Sequence, residues 1–373
     1  MTVLNVAIVG SGIIGGNHAE AIARHPRLRL AALVDSRIEA AEGLAAKVDA
    51  QSPGRRPATH LTLAEALEAQ RIDLVAICTP SGLHVEAGEQ TLRAGAHLLV
   101  EKPLDTLLPK AREFAKVAAE AEARGLVCAV VSQHRFDPAM AAVAGAVRAG
   151  RLGRVTSAVV SMPWWRDQAY YDSADWRGTW RFDGGGALAN QGIHLVDQML
   201  ALLGRPVEVY ARTARVCHER IEVEDLAVAT ITFQSGAHAV LHATTGARPG
   251  LPVRLAVHGT EGSAILHDDQ LEYFHTAADP ALTAADLVPA GELTGAPKPV
   301  DGFVVGHLRQ YQDIVEAIDT GRPPGVRVAD GLLALALVRA VYVSAALGRP
   351  VDFDQVLDGV FDDVTAVAKE LLP

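Results

Sequence analysis

Residues 3–9, VLNVAIV, run without a charged side chain into GSGIIG, Gly10 to Gly15, and then into a segment of helical periodicity. A strand that ends in this glycine spacing and opens a helix limits the fold severely. The glycines let the backbone approach a pyrophosphate, and the helix amino terminus favours its charge. Asp35 ends the second apolar run, 20 residues beyond Gly15, where a carboxylate accepts hydrogen bonds from ribose hydroxyls and repels a 2′-phosphate. Strand, glycines, helix and acid together predict a dinucleotide site with Gly10, Gly12, Ile13 and Ile14 at the turn and Asp35 at the ribose. A glycine turn in a nucleotide-free fold is the alternative. NAD is expected over NADP, and Arg37 is either a solvated helix-start residue or the phosphate partner that would admit NADP.

The same grammar continues through the amino-terminal third. LRLAALVD, IDLVAICTP, AHLLVEKP and LVCAVVSQ alternate with helical segments near 37–48, 83–94 and 110–124. Continuous apolar strands separated by helices mean a parallel sheet covered on both faces. From about residue 150 longer strands follow one another: TSAVVSM, VEVYARTARV, DLAVATITFQ, GAHAVLHATT and PVRLAVHGT, then helices near 304–320 and 329–347. The expected fold is α/β: a doubly wound Rossmann domain over 1–130, followed over 131–373 by an α+β domain with a large, mostly antiparallel sheet. The first domain is expected to bind NAD, the second to bind substrate and to oligomerise.

Bulk properties narrow the partners. At 373 residues, 49% of them hydrophobic, the chain exceeds the usual length of one domain. A net charge of -10, from 34 basic and 44 acidic residues, repels a nucleic-acid backbone. The first apolar run follows no basic segment and ends in glycines, so it reads as a strand and not a signal peptide, and a cytoplasmic protein is expected. GLLALALVRAVYVSAALG, 331–348, carries Arg339 near its centre, which favours a buried helix over a membrane span. Cys78, Cys128 and Cys217 lie too far apart for a metal or redox spacing and read as core residues; no metal is expected.

Beyond the third and fourth strands of the first domain lie CTPSGLH, 78–84, and VEKP, 100–103. Ligands of doubly wound sheets bind past the strand carboxyl ends, so both segments face the cofactor crevice. Lys102 is the first catalytic candidate, because an ammonium beside the nicotinamide can steady an alkoxide or move a proton once desolvated. A solvated strand-end lysine is the plainer reading. His84 is open between a cofactor contact and a helix-start histidine with a local hydrogen bond.

GGGALANQGIHLVD, 184–197, raises a question of its own: a phosphate cradle, or a seat for the histidine. It lies outside the Rossmann domain. On a helix, Asn190, His194 and Asp197 share one face while Leu188, Leu195, Met199 and Leu202 line another. The polar stripe can look into a cleft, and His194 is the second catalytic candidate; a buried histidine satisfied by its neighbours is the alternative. Upstream, PWWRDQAYYDSADWRGTW, 163–180, gathers all four tryptophans. Aromatic faces pack on pyranose rings and arginines grip carboxylate or phosphate, so this stretch is either a sugar site or an aromatic core.

With these residues in view, GSGIIG, Asp35, TPSGLH, EKP and GGGALANQGIHLVD resemble the glucose-fructose oxidoreductase, inositol dehydrogenase and MocA family over nearly the whole chain. The resemblance implies a Rossmann domain joined to a sheet-bearing substrate domain, and NAD(P)-dependent oxidation or reduction of secondary alcohols of sugars and cyclitols. It implies proton handling by Lys102 and His194, and cofactor contacts from Thr79, Pro80, His84, Glu101 and Lys102. Asn190 stands where many relatives carry Asp and looks more like the branch that acts on nucleotide sugars, the UDP-N-acetylglucosaminuronate 3-dehydrogenases; Asp197 is the candidate to supply the missing charge. The YYDxxxWRGTW setting resembles the same branch, so Tyr170, Tyr171 and Arg177, with Asn190 and His194, are expected at the substrate. Arg135 is expected either there or in an ion pair at the domain interface.

The leading expectation is an NAD-dependent dehydrogenase acting on a ring hydroxyl of a sugar, uronate or nucleotide sugar, with C3 the expected carbon. The alternatives are an inositol or cyclitol dehydrogenase, an NAD-dependent glycosidase that oxidises transiently, and a non-catalytic NAD sensor. In DLAVATITF, Ala227, Ala229, Ile231 and Phe233 share one face and Leu226, Val228 and Thr230 leave the other weakly polar, so a homodimer or homotetramer joined through this sheet is expected.

Overall fold

The computed structural model describes residues 2–298 and 300–366, together with the backbone of 369–370. In chain order the elements are β1 (Leu4–Val9), α1 (Ile13–Arg24), β2 (Leu28–Val34), α2 (Ile38–Gln51), β3 (Ala58–His60), α3 (Leu63–Ala69), β4 (Leu74–Ile77), α4 (His84–Arg93), β5 (His97–Val100), α5 (Leu108–Ala123), β6 (Cys128–Val130), α6 (Pro138–Arg148), β7 (Val155–Pro163) and α7 (Gln168–Asp172). There follow α8 (Ile193–Leu203), β8 (Pro206–Arg215), β9 (Leu226–Phe233), β10 (His238–Thr244), β11 (Arg254–Gly259), β12 (Gly262–His267), β13 (Gln270–Thr276), α9 (Ala284–Leu287), α10 (Gly302–Thr320), α11 (Val328–Leu347), β14 (Val351–Asp352), α12 (Phe353–Leu357) and β15 (Lys369–Glu370).

The chain forms two compact units, Met1–Gln133 with Pro299–Leu332, and His134–Lys298 with Leu333–Pro373. In the first, six parallel strands take the order β3-β2-β1-β4-β5-β6. All four residues of β4 and five of the six of β1 are buried, as a sheet covered by helices on both faces requires. Residues 299–332 differ from the expectation of one continuous second domain over 131–373. They return to the first unit, where α10 packs on α1 and places Val304, Tyr311, Ile314, Val315 and Ala317 in one core with Val6, Ile8 and Ile22. Gln310 fastens the return: its Oε1 accepts the Ser132 amide at 3.0 Å and its Nε2 donates to the Val130 carbonyl at 2.7 Å. Gly321, in the left-handed region at φ 69°, ends the helix.

The second unit is built on a nine-stranded sheet of order β13-β12-β11-β7-β10-β9-β8-β14, with β15 also joined to β8. Its pairs are antiparallel except β7 with β10 and β8 with β15. Burial alternates along β9: Ala227, Ala229, Ile231 and Phe233 are buried while Val228 and Thr230 are exposed. On the buried face α8 packs against β7 and β11, and on α11 Ser344 Oγ accepts the Ala211 amide of β8 at 2.9 Å. Among the described residues α11 is the one helix long and apolar enough to cross a membrane, and 72% of its most apolar window is buried inside the protein. Cys217, expected in a core, is exposed, whereas Cys128 is buried.

Because Ile314 is fully buried in the core of the first unit, Ile314→Ala is expected to cost about 2–5 kcal/mol. A lowered denaturant midpoint measures this. An unchanged midpoint would mean that α10 does not belong to that core.

Candidate active site

In the first unit, four adjacent parallel strands, β2, β1, β4 and β5, end together. The residues that follow them are Asp35, Gly10, Cys78 with Thr79, and Glu101 with Lys102. Gly10, at φ 101°, must be glycine, since a Cβ there would lie 2.5 Å from the Cys78 carbonyl oxygen. Gly15 lets α1 close onto the turn, because its Cβ would lie 2.1 Å from the Gly10 carbonyl oxygen. Gly12 is different: a Cβ there would meet nothing within 4 Å. It begins α1 with no side-chain cap, and Ile13 beside it is 81% exposed. Asp35 stiffens the turn through Oδ2, which accepts the Ser11 amide, and Oδ1, which accepts the Arg37 amide, both at 2.9 Å. Ser11 Oγ and Thr79 Oγ1 are buried without a hydrogen-bond partner. Uncapped amides, an open side at Gly12 and two orphaned hydroxyls past the strand ends are what a bound dinucleotide requires. The residues present therefore fit NAD.

Two residues expected to contact the cofactor have their side chains bonded within the protein. His84 is buried, with Nδ1 2.8 Å from the Pro103 carbonyl oxygen and Nε2 2.9 Å from that of Thr79. Its ring lies between the two crevice segments, and the one N–H of the neutral ring donates to either of these carbonyls. Burial pushes its pKa below the ordinary histidine value, although both carbonyls favour the protonated ring. Glu101 likewise turns its carboxylate inward. Oε1 lies 3.1 Å from His18 Nε2 and 3.4 Å from His307 Nε2, and Oε2 accepts the Lys102 amide at 3.1 Å. Burial opposes this charge, but the histidines outweigh it and hold the carboxyl well below its usual range. Burial and the nearby His307 bring His18 down to about 4, so its neutral ring donates from Nε2 to Glu101 and accepts at Nδ1 from the Tyr311 hydroxyl, 2.7 Å away. His307 hands its Nδ1 hydrogen to the Phe303 carbonyl at 2.8 Å. Lys102 thus sits on a backbone fixed from beneath.

The second unit places Asn190 and His194 four residues apart at the head of α8. The helical segment begins with a π turn, Ala187–Gly192, and not with a regular α turn. Asp183, just before the glycines, accepts from Asn190 Nδ2 at 2.9 Å through Oδ1 and from the Gly178 amide at 2.7 Å through Oδ2. His194 meets the ring of His134 edge-on, centroids 5.1 Å apart. Burial works against a charged His134, yet Asp269, 3.3 Å from Nδ1, and Asp137, at 2.9 Å, raise its pKa above the ordinary value. Asp197, the candidate to supply the missing charge, accepts from Arg135 through both oxygens, from Nε at 2.7 Å and Nη2 at 2.5 Å. The Arg135 ion pair lies within the second unit and is not the domain-interface pair expected.

The aromatic stretch divides. Tyr171, expected at the substrate, is a core residue packed with Ile221 and Val223, and its hydroxyl is bonded to Thr245 Oγ1 at 2.8 Å; burial pushes its pKa up. Tyr170 and Arg177 remain half-buried. The Arg177 guanidinium lies 4.4 Å from the Tyr170 ring centroid and 4.5 Å from that of Trp176, and Nη1 donates to the Tyr170 hydroxyl at 2.7 Å. Gln191 Nε2 reaches the same hydroxyl at 3.3 Å, while Gln191 Oε1 and Arg177 Nε are buried without partners. The neighbouring cavity of about 450 Å³ sets Asp172, Asp175, Glu219 and Glu222 against Arg177 and Arg220, a balance that does not suit a phosphate. Asp183 and Glu224 were not singled out from sequence. Their signals were a lone acid directly before three glycines and an acidic pair directly before an apolar strand.

A family model described as an oxidoreductase family with an NAD-binding Rossmann fold matches residues 4–131, and the GFO/IDH/MocA C-terminal domain matches residues 140–265. The chain belongs to the GFO/IDH/MocA family. As a member it is an oxidoreductase with an NAD-binding domain. It is 29% identical over 358 residues to inositol 2-dehydrogenase of Rhizobium meliloti, covering 92% of this chain and 97% of that one. It is 30% identical over 359 residues to D-apiose dehydrogenase of Paraburkholderia graminis, covering 93% and 88%. Among solved structures it resembles the WlbA dehydrogenase of Bordetella pertussis in complex with NADH and UDP-GlcNAcA, at 29% identity and a TM-score of 0.80, covering 94% and 98%.

The glycines of this GFO/IDH/MocA oxidoreductase separate folding from binding. Gly12→Ala should leave the melting temperature of the NAD-free protein unchanged while weakening NAD binding by roughly tenfold or more, that is by about 1.4 kcal/mol, as read by calorimetric titration. Gly15→Ala should lower the melting temperature itself. Unweakened NAD binding in Gly12→Ala would remove the pyrophosphate from this turn.

Proposed function

We propose that the protein oxidises a secondary ring alcohol, at C3, of a sugar uronate or nucleotide-linked sugar, with NAD as hydride acceptor. The observation that carries this reading is the head of α8, where Asn190, its amide fixed by Asp183, precedes His194 by one turn. The stacked Tyr170–Arg177 pair, which can grip a carboxylate edge beside an aromatic face, supports a uronate. Likeness at 29% identity to a dehydrogenase bound to NADH and UDP-GlcNAcA supports the same substrate class. A hydroxyl proton leaves as hydride departs, so one group must receive it and another must steady the oxyanion. Lys102 and His194 divide those duties, and Asn190, which cannot ionise, orients the substrate or the imidazole. A cyclitol substrate is the second reading, favoured by the 29% identity to inositol 2-dehydrogenase. The cytoplasm is the compartment this reading assigns, in keeping with three free cysteines.

A thermal-shift panel of nucleotide sugars, free uronates and inositols with NAD, followed by NADH formation from the hits, tests the substrate class. Stabilisation by inositols alone would transfer the reading to cyclitols, and glycoside cleavage without added NAD would transfer it to transient oxidation. Lys102→Ala and His194→Ala are each expected to cut turnover by about 10² or more while NAD affinity is retained. Full activity in either variant would place the chemistry on other residues.

We further infer a homo-oligomer, a dimer or tetramer, closed through the outer face of the nine-stranded sheet. The register aligns one row across seven strands: Tyr273, Ile265, Ala256, Val159, Val240, Thr230 and Tyr210. Tyr273, Val159, Val240 and Tyr210 in that row are exposed, at 46%, 49%, 42% and 37%. Such a band is seldom left to water. Light scattering should give a multiple of the 39.4 kDa chain mass, and Val240→Glu should shift it toward one copy. A monomeric mass for the unaltered protein would count decisively against this interface.

A further inference from the structure

The glycine run before α8 has an anion of its own. Glu224, fully buried just ahead of β9, accepts the Gly186 amide at 2.8 Å through Oε2 and the Leu188 amide at 2.9 Å through Oε1. Its backbone carbonyl accepts the Ala187 amide between them at 3.0 Å. Three successive amides therefore end on one residue, in the kind of nest that otherwise receives a phosphate. Tyr342 of α11 completes the shell by donating its hydroxyl to Oε1 at 3.0 Å. The glycines are what permit the approach. A Cβ on Gly186 would lie 1.7 Å from the Glu224 carbonyl oxygen, and one on Gly185 would lie 2.2 Å from the Tyr342 hydroxyl. From this anchor the chain turns directly into the site, since the Asn190 amide donates to the Gly186 carbonyl at 3.0 Å.

We propose that Glu224 is a positioning residue for Asn190 and His194: its carboxylate fills the amide nest at the start of the helical segment and fixes where those two side chains stand. The part of this that concerns turnover rests on the role assigned above to His194. An internal carboxyl group answers what the glycines are for, because the nest of Gly186, Ala187 and Leu188 amides they allow is already occupied and takes no substrate phosphate. Glutamine cannot replace it. An amide offers one acceptor oxygen, and its NH2 would face the donor at Gly186 or the donors at Leu188 and Tyr342.

The energetics fit a group kept for position and not for stability. Burial pushes the Glu224 carboxyl up to about 7, against the two amides and the Tyr342 hydroxyl that favour the charged form. The other titratable groups near it are Tyr171 of α7, Tyr342 of α11 and its chain neighbour Asp225. A carboxyl whose folded pKa exceeds its ordinary 4.5 contributes stability below that value and loses it as pH rises through about 7. The ionised clamp is thus the less stable form and the better ordered one, with every donor facing an acceptor. Buried ions retained at a cost commonly specify a unique arrangement.

The test uses the full-length protein, with Glu224→Gln and Tyr342→Phe. In the unaltered protein, melting temperature should fall as pH rises from about 4.5 to 7, and amide exchange at Gly186–Leu188, corrected for its intrinsic rate, should slow over the same range. Glu224→Gln should abolish this pH step. It should also lower kcat by about tenfold or more, the scale of a slight misplacement of a catalytic group, with NAD affinity unchanged. Tyr342→Phe removes one donor, so the step should move to higher pH in melting, in exchange and in kcat. If Glu224→Gln fails to fold, Tyr342→Phe carries the test alone. Unmoved pH steps and unchanged kcat would overturn the proposal. Should His194→Ala keep full activity, the function reading falls, while exchange and melting still decide the clamp.

Discussion

At Gly10 a β-carbon would lie 2.5 Å from the Cys78 carbonyl oxygen, and at Gly186 one would lie 1.7 Å from that of Glu224. The candidate residues of each unit depend on such close backbone approach, which only glycine allows. In the first unit it brings the ends of β1 and β4 together and lets α1 start directly beneath them, with its amides uncapped. In the second it lets the chain fold tightly onto Glu224 and start the helical segment that bears Asn190 and His194. The two glycine runs look alike in sequence yet serve opposite ends. One leaves a nest open, with nothing within 4 Å of where a Gly12 side chain would begin; the other fills its nest from within.

Carboxylates take up the strain that such tight turns create. Asp35 holds the amides of Ser11 and Arg37, Glu101 holds that of Lys102, and Asp225 holds those of Val216, Cys217 and His218. Each acid therefore replaces water for donors that no secondary structure satisfies. Their charges are balanced differently. Glu101 lies against His18 and His307, and Asp225 against His218, which it raises above its ordinary pKa although burial works the other way. Glu224 has hydroxyl and amide donors only, and burial pushes its carboxyl up to about 7.

Much of the first unit was legible because its signals are local: an apolar run, a glycine spacing, an acid at the next strand end. What was not legible depended on partners distant in sequence. The periodicity of α10 announces a buried face without saying which core receives it, and it joins the first unit, not the one in which its neighbours in sequence lie. The hairpin of β12 and β13 was missed because Asp268 and Asp269 make its turn at φ 50° and 65°, where Asn-Gly or Asp-Gly is the usual signal. Tyr170 and Tyr171 are adjacent and chemically equal; side chains next to one another must diverge, and only the packing of Ile221 and Val223 decides that Tyr171 goes inward. Of the two readings left open for His84, the local contact is seen at the Thr79 carbonyl, while the Pro103 carbonyl on its other side is a partner that sequence could not show.

The amide at position 190 shows how a charge can be kept while the residue that would carry it changes. Asp183 sets a carboxylate 2.9 Å from Asn190 Nδ2 and anchors itself on the Gly178 amide at 2.7 Å. A carboxylate only accepts, so the NH2 of Asn190 must face Asp183 and its carbonyl oxygen must face the other way. The side chain acquires a fixed orientation that a carboxylate at the same position, with two equivalent oxygens, would lack. The carboxylate thereby stands on Asp183, where it fixes the Asn190 amide and the Gly178 backbone together.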